Sequence, residues 1–229
     1  MSLFEGASCR CPNCQATVSF DICNSVNVDR RPDLREEILS GTFQAASCPD
    51  CGTKVSIPPL LTYLDVARGQ WILAKPAAQF DEWHALEAVA REAFAASFGV
   101  TSPRAAQQVG ATLRPRVVFG WAALREKLLA AEHGIDDVDL ELLKLALTRT
   151  VSNLPFDDAT EVRLGAVTGD VLALHWRDMR HDSVSASLAV PRAALAEIGA
   201  DPSAWAPLRQ RLGEGLFVDM SRLLTLENA

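Results

Sequence analysis

The sequence CPNCQATVSF occupies residues 11–20, and CPDCGTKVSI occupies residues 48–57. Both stretches enclose a Pro-x pair between two cysteines, repeat Val-Ser at the same positions and end on a large apolar residue. All six cysteines of the 229-residue chain lie within the first 51 residues. A disulfide framework usually distributes its cysteines through the fold that it stabilises. Clustering into C-x-x-C pairs indicates a metal site instead.

The two pairs supply four predicted metal ligands, which are Cys11, Cys14, Cys48 and Cys51. Four soft thiolates in closely spaced pairs suit one tetrahedral Zn²⁺ ion per chain, and a shell closed by four protein ligands is typical of structural zinc. The proline inside each pair presets the backbone of the turn. Gly52 permits a left-handed exit after the second pair. Gln15 stands at the equivalent place in the first pair, so that turn requires a different or slightly strained exit.

Two interpretations of the cysteines compete with structural zinc. A redox pair is one, but redox C-x-x-C motifs usually open a helix whose N-terminus lowers the thiol pKa, and both pairs here lead into sequence typical of strands. Participation of Cys9 is the other, since this residue lies two positions before Cys11 and could act as a ligand or as a free thiol near the site. We expect Cys23 to be a small buried apolar side chain.

The pattern of apolar residues predicts an α+β fold in three parts. Residues 1–78 are predicted to form a zinc-ribbon-like β module, with a strand after each cysteine pair, a short helix after Pro32 and a hairpin of residues 60–66 and 70–75. Residues 79–152 show helical periodicity, including a helix of residues 82–98 that Asp81 could cap and a helix with apolar residues on nearly every side that Asp136 could cap. Residues 153–229 change to alternation with a period of two, which predicts an antiparallel hairpin, a third strand and further helices.

Charge and hydropathy argue against several classes of protein. The formal net charge is −7, and no region is strongly basic, so the electrostatic signature of a nucleic-acid-binding protein is missing. The sequence has no apolar run of about 18 residues, as a membrane helix would need. Its first ten residues, MSLFEGASCR, lack the basic start and apolar core of a secretory signal. We therefore expect a cytoplasmic protein that does not bind membranes.

Other polar groups have simpler explanations than catalysis. One cluster contains the residue types of a Ser-His-Asp set, but catalytic triads are defined by geometry and not by adjacency, so we interpret it as polar turn chemistry. Its members are His175, Asp178, His181, Asp182 and Ser183. The acidic residues 136–141 stand at a helix start, where negative charge is stabilising. Lys144 lies among leucines, which predicts a paired or snorkelling lysine.

Four stretches together resemble the CpXC family, which is named for its two C-P-x-C motifs. They are the two cysteine pairs, SVNVDRRPDLREEILSG at residues 25–41 and FGWAALREKLLAAEHGIDDVDLELLKLAL at residues 119–147. The resemblance implies that the four paired cysteines are the family's four cysteines, whereas Cys9 and Cys23 lie outside the pattern. Gln15 departs from the glycine that commonly follows such a pair. The resemblance strengthens the zinc prediction and implies no activity.

Together these observations predict a zinc-binding protein with a structural four-cysteine site that acts as a protein-binding or regulatory module. The partner is expected to be another protein. Three alternatives stay open: an immunity-type inhibitor of a basic enzyme, a thiol- or zinc-dependent enzyme, and a nucleic-acid-associated zinc ribbon.

Overall fold

A computed structural model describes residues 4–151, 160–179 and 183–224 of the chain. It confirms the predicted α+β class, with helices, several small sheets and an antiparallel sheet towards the C-terminus. The chain divides into two compact units, residues 1–124 and 125–229. The three-part division predicted from the sequence, with boundaries at residues 78 and 152, stays a prediction.

Two small antiparallel hairpins open the first unit, and each encloses one cysteine pair. The first consists of β1 (Phe4–Arg10) and β2 (Thr17–Cys23), and the second of β4 (Ala45–Ser47) and β5 (Lys54–Ser56). The sequence predicted a strand after each pair, as observed, but it did not predict β1. Apart from Phe4, the residues of β1, FEGASCR, are small or polar, and most of them are exposed, so they carry no apolar alternation from which a strand could be recognised.

A short helix and a very short strand connect the two hairpins. Strand β3 covers Ser25–Asn27 and helix α1 covers Pro32–Ser40. Proline stands in the first turn of α1, and Gly41 ends the helix in the left-handed conformation with φ of 72°. This is the start and the stop that the sequence predicted, because proline tolerates the first turn and glycine tolerates positive φ.

A four-stranded mixed sheet is the largest sheet of the first unit. Its order is β3-β6-β7-β8, with β6 at Leu61–Asp65, β7 at Gln70–Lys75 and β8 at Arg114–Phe119. The antiparallel pair of β6 and β7 confirms the predicted hairpin, and its turn has φ of 65° at Gly69. The helices α2 (Trp83–Phe98) and α3 (Arg104–Gly110) lie between β7 and β8 in the chain.

The predicted cap of α2 is wrong. A 3₁₀ helix over Ala77–Glu82 runs directly into α2, and no side chain caps the start of α2. Asp81 lies inside this 3₁₀ turn, and the backbone N–H of Trp83 is already bonded to the carbonyl of Phe80. The carbonyl of Phe80 in the preceding turn therefore accepts a hydrogen bond that a capping carboxylate could otherwise accept.

The second unit contains a three-stranded antiparallel sheet with β10 at its centre. The strands are β9 (Thr160–Thr168), β10 (Val171–Asp178) and β11 (Ser183–Pro191), in the order β11-β10-β9. They confirm the predicted hairpin and third strand. Trp176 of β10 is completely buried in the core of this unit, together with leucines of β9, β10 and the following helices.

Helix α4 (Gly120–Glu132) leads from the first unit into the second, where four more helices follow: α5 (Asp137–Thr150), α6 (Ala193–Ala200), α7 (Pro202–Gly213) and α8 (Ser221–Leu224). Asp136 caps α5 as predicted, since its carboxylate accepts hydrogen bonds from the backbone N–H groups of Val138 and Asp139. Within the described ranges, no helix combines the length and the apolar character needed to cross a membrane.

Candidate metal centre

The two cysteine pairs adopt the same backbone turn. The backbone N–H of the first cysteine in each pair donates to the carbonyl five residues on, from Cys11 to Ala16 at 2.8 Å and from Cys48 to Thr53 at 2.9 Å. The carbonyl of that cysteine accepts from the residue four positions on, at 3.0 Å in the first pair and 2.9 Å in the second. The repeated sequence thus builds a repeated structure, which presents both sulfurs of a pair on one side of a tight turn.

Both turns leave through a left-handed residue. Gly52 has φ of 73° and Gln15 has φ of 63°. The backbone therefore leaves both turns in the same way, and Gln15 adopts in the first turn the left-handed conformation that Gly52 adopts in the second turn. A side chain in this region costs about 1–2 kcal/mol relative to the right-handed conformation. The repeat is kept at the expense of local backbone strain at Gln15.

The four sulfurs of the pairs converge from opposite sides. The Sγ atoms of Cys11 and Cys51 are 3.6 Å apart, those of Cys14 and Cys48 are 3.4 Å apart, and all four lie within 4.8 Å of one another. A disulfide needs sulfurs at about 2.05 Å. Ligands at about 2.3 Å from a tetrahedral zinc ion lie roughly 3.8 Å from one another. The spacing thus matches ligands around one ion better than it matches two disulfides, and the four predicted residues could hold a metal ion.

Two of the four cysteines lie in the small core of the hairpins, and the other two lie at the surface. The first cysteine of each pair is buried, with exposed fractions of 0% for Cys11 and 2% for Cys48, whereas Cys14 and Cys51 are exposed. Apolar side chains of the strands surround the buried pair, namely Val18, Phe20 and Val55. This core is small, so a metal ion that joined the four sulfurs would add to the stability of the two hairpins.

The thiols influence one another's protonation strongly. A backbone hydrogen bond from Ala16 favours the thiolate of Cys14, but hydrogen bonds with neighbouring cysteine sulfurs outweigh it and raise the pKa of Cys14 to about 12. Hydrogen bonds from the hydroxyl and the backbone of Thr53 lower the pKa of Cys51 to about 6. In each pair, the residue two positions after the second cysteine supplies a backbone hydrogen bond to its sulfur. Both turns therefore present donors that stabilise negatively charged sulfur.

The two remaining cysteines stand apart from this group. Cys23 is buried at the end of β2, and its Sγ donates to the carbonyl of Ser25 at 3.0 Å, so the predicted buried role is confirmed. Cys9 lies on β1 opposite Val18 and packs against the core of the hairpins. Among the described residues, the close group of sulfurs comprises the four paired cysteines without Cys9.

The Ser-His-Asp types near residue 180 do not form a catalytic arrangement in the described part of the chain. His181 and Asp182 lie outside the described residues. His175 lies opposite Ser187, three positions before Asp178, and an odd separation along a strand turns two side chains to opposite faces. The ring of His175 covers Gly165, where an added Cβ would collide with it.

The second unit contains a buried network of charged side chains. Of this network, the sequence predicted only that Lys144 would be paired or snorkelling. The ammonium group of Lys144 lies 3.0 Å from Glu126, 2.8 Å from Glu141 and 3.0 Å from the carbonyl of Val162. All three charged side chains are completely buried. A sequence signal was present, since Glu141 and Lys144 are one helical turn apart in the otherwise apolar stretch of residues 140–147. The partner Glu126 comes from another helix and could not be identified from spacing.

Two basic side chains extend the same network. Arg163 of β9 lies 3.2 Å from Glu126 and 2.6 Å from Asp219, and Lys127 lies 3.7 Å from Glu141. Burial raises the pKa of Glu141 to about 7, although Lys144 opposes that shift. Burial acts in the same direction on Glu126, but Lys144 and Arg163 outweigh it and hold the pKa of Glu126 below its ordinary value.

The sequence matches a known protein-family model. The model described as CpXC protein matches residues 9–144, which is more than half of the chain and includes both cysteine pairs. Neither the curated proteins nor the solved structures that were searched gave a match.

Proposed function

The chain belongs to the CpXC family, and on that premise we propose that its four paired cysteines bind one structural Zn²⁺ and that the protein acts through contacts with other proteins. The observation that carries the zinc proposal is the convergence of four sulfurs within 4.8 Å from two identical turns. Thiolate ligands in tetrahedral groups favour zinc over the hard cations, which prefer oxygen.

A zinc ion in this site would have four protein ligands and no open position for water or substrate. Catalytic zinc usually keeps such a position, so the closed shell supports a structural role. The secondary structure supports it as well, because β4 and β5 have three residues each and a two-stranded hairpin of that length is marginal in water. Metal binding would contribute free energy of folding directly to the two hairpins.

The proposed protein-binding role follows from the same closed shell and from the charge. A metal sealed by four thiolates offers no Lewis-acid chemistry to a substrate. A formal net charge of −7 favours basic partners through long-range steering, and an immunity-type inhibitor of a basic enzyme is one form that this role could take. Nucleic acid is disfavoured as a partner because its phosphates carry the same sign of charge.

The enzyme alternative rests on the exposure of Cys14 and Cys51, since an exposed sulfur could leave the metal. X-ray absorption at the zinc edge of the purified protein tests the two roles directly. We expect four sulfur neighbours at about 2.3 Å. A shell of three protein ligands and one oxygen would refute the structural role, and a zinc-free protein with the same melting temperature would refute zinc binding.

The protein-binding role needs a separate experiment. The full chain, with zinc retained, would be used to capture partners from its native cells, and each partner would then be purified and titrated against the chain in a calorimeter. We expect saturable binding of a basic protein that weakens as salt rises. Failure of every purified candidate to bind would contradict the proposal. A matched titration with DNA and RNA should give no saturable binding.

A further inference from the structure

The two edges of the sheet in the second unit differ in whether other groups bond to their outward backbone N–H and C=O groups. At the β9 edge, the backbone N–H of Leu164 donates to the carboxylate of Glu126 at 2.6 Å, and the carbonyl of Val162 accepts from Lys144 at 3.0 Å. Both ionic side chains are completely buried. Glu126 and Lys144 thus satisfy two of the groups to which a fourth strand would otherwise bond, and this edge is closed at Val162 and Leu164.

The β11 edge carries no equivalent cover among the described residues. No described strand pairs with its outer side. The nine residues of β11, SVSASLAVP, contain no charged side chain, and their one proline is the last residue. Soluble proteins usually protect an exposed edge with charges, prolines or a covering segment, because unpaired backbone groups recruit another strand. A long uncharged edge is therefore a surface on which pairing is to be expected.

The pairing of the sheet identifies the backbone groups that face outwards. Since Val162 and Leu164 direct their backbone groups to the closed edge, their partners on β10 direct theirs to β11. Leu174, one of these, therefore bonds to Leu188, and the alternation along β11 turns the N–H and C=O groups of Ser187 and Ala189 outwards. Both residues are exposed.

The regular part of this edge has a defined length. A β-bulge interrupts the pairing next to Ser185, where the register of β10 and β11 shifts between Trp176 and Arg177. Pro191 ends the strand, and it has no N–H group to offer at the edge. The uninterrupted segment is residues 186–190, and its central residue is Leu188.

We propose that β11 pairs antiparallel with β11 of a second copy of this chain, around a twofold axis at Leu188, to give a continuous six-stranded sheet. Ser187 of each copy then stands opposite Ala189 of the other copy in a hydrogen-bonded position. Each of these two pairs exchanges two backbone hydrogen bonds, so the interface has four. Leu188 faces Leu188 of the second copy at the closer, non-hydrogen-bonded position. Because the axis lies at the centre of the regular segment, neither the bulge nor the proline interrupts the ladder.

A second copy of β11 suits this edge because it is itself uncharged and carries the same apolar row. Two copies that each carry a net charge of −7 repel one another, and this repulsion is weaker where they meet at an uncharged surface, such as residues 183–191. In this register Ala186 faces Val190 of the second copy. The apolar row of Ala186, Leu188 and Val190, in which Val190 is buried and the other two are partly buried, is thereby continued across the axis by residues of the same kind. A closed twofold interface of this sort is self-complementary.

Light scattering on the purified full chain tests the proposal. We expect a species of twice the chain mass of 24.8 kDa at high protein concentration. Ala189→Pro removes one outward N–H group and should shift the protein to the single-chain mass, whereas the matched control Ala189→Val keeps that group and should keep the dimer. Circular dichroism would establish that the proline variant is folded. Were it unfolded, Ser187→Lys would replace it, because a charge on an edge strand blocks pairing.

Hydrogen exchange provides a measurement that does not depend on a variant. In the dimer the amides of Ser187 and Ala189 should exchange slowly, and they should lose this protection on dilution to the single-chain mass. A native protein of single-chain mass at all concentrations would overturn the proposal. So would a dimer that persists in the folded Ala189→Pro variant, since that dimer would use another surface. Neither outcome depends on the zinc site.

Discussion

Replacement of Lys144 by methionine tests how much the buried charge network contributes to stability. Methionine has a similar length and no charge, so Lys144→Met preserves the volume and removes the ammonium group. That group bonds to Glu126, Glu141 and the carbonyl of Val162 at 2.8–3.1 Å. Both carboxylates are completely buried and keep weaker compensation after the change, from Arg163 at 3.2 Å and from Lys127 at 3.7 Å.

The magnitude follows from two opposing contributions. Three hydrogen bonds to charged groups at about 1.5–3 kcal/mol each would amount to roughly 5–9 kcal/mol. The variant also avoids the cost of burying an ammonium group, which is several kcal/mol. Loss of one partner of a buried ion pair usually costs about 3–5 kcal/mol, and we expect Lys144→Met to fall in this range. Lys54→Met, on an exposed lysine of β5, is the matched control and should cost less than about 0.5 kcal/mol.

Urea unfolding at constant pH measures the loss, and hydrogen exchange in α5 and β9 shows where it acts. Adding Glu141→Gln to Lys144→Met should recover part of the stability, because one uncompensated carboxylate then becomes neutral. If Lys144→Met is no less stable than Lys54→Met, the network makes no net contribution and the reasoning is refuted. A large loss that Glu141→Gln does not reduce would attribute the effect to packing instead of charge.

Three further predictions concern the metal site, and a fourth concerns the same network. Cys51→Ser should lose the metal and destabilise the two hairpins, since structural zinc contributes folding free energy; a variant that keeps its zinc content and melting profile would contradict this. Gly52→Ala should cost about 1 kcal/mol in thermal unfolding, because φ is 73° and open space surrounds the added Cβ, so that backbone strain is the main cost. Gln15→Gly should be neutral or stabilising by up to about 1 kcal/mol, since relief of strain opposes the greater freedom of the unfolded chain, and a clear loss would show that the Gln15 side chain matters. Glu141→Gln should abolish one pH dependence of the free energy of unfolding. Because the pKa of Glu141 is raised to about 7 from 4.5, the folded protein keeps a proton that the unfolded chain releases. The stabilising contribution of Glu141 is therefore present below about pH 4.5 and declines as the pH rises to about 7. Urea unfolding of both proteins at about pH 5 and about pH 8 measures this, and an unchanged slope in the variant would contradict it.

The sequence alone determined the features that depend on short-range chemistry. The spacing within each cysteine pair, the proline inside it and the strand that follows predicted two equivalent turns, and Gly41 and Asp136 marked the end of one helix and the start of another. These features follow from backbone preferences and hydrogen bonds within a few residues, which neighbouring sequence controls. The left-handed conformation of Gln15 shows the limit, because the geometry of the repeat overrides the preference of that residue.

The tertiary structure decided what depends on distant partners. Strand β1 forms only because β2 lies beside it, and the convergence of the two turns places Cys11 next to Cys51, forty residues away. The ion pair of Lys144 with Glu126 joins two helices, and the same pair closes one edge of a sheet while the other edge stays uncovered by described residues. Spacing along the chain cannot specify such contacts, because they depend on how separate elements pack and on which polar groups packing removes from water.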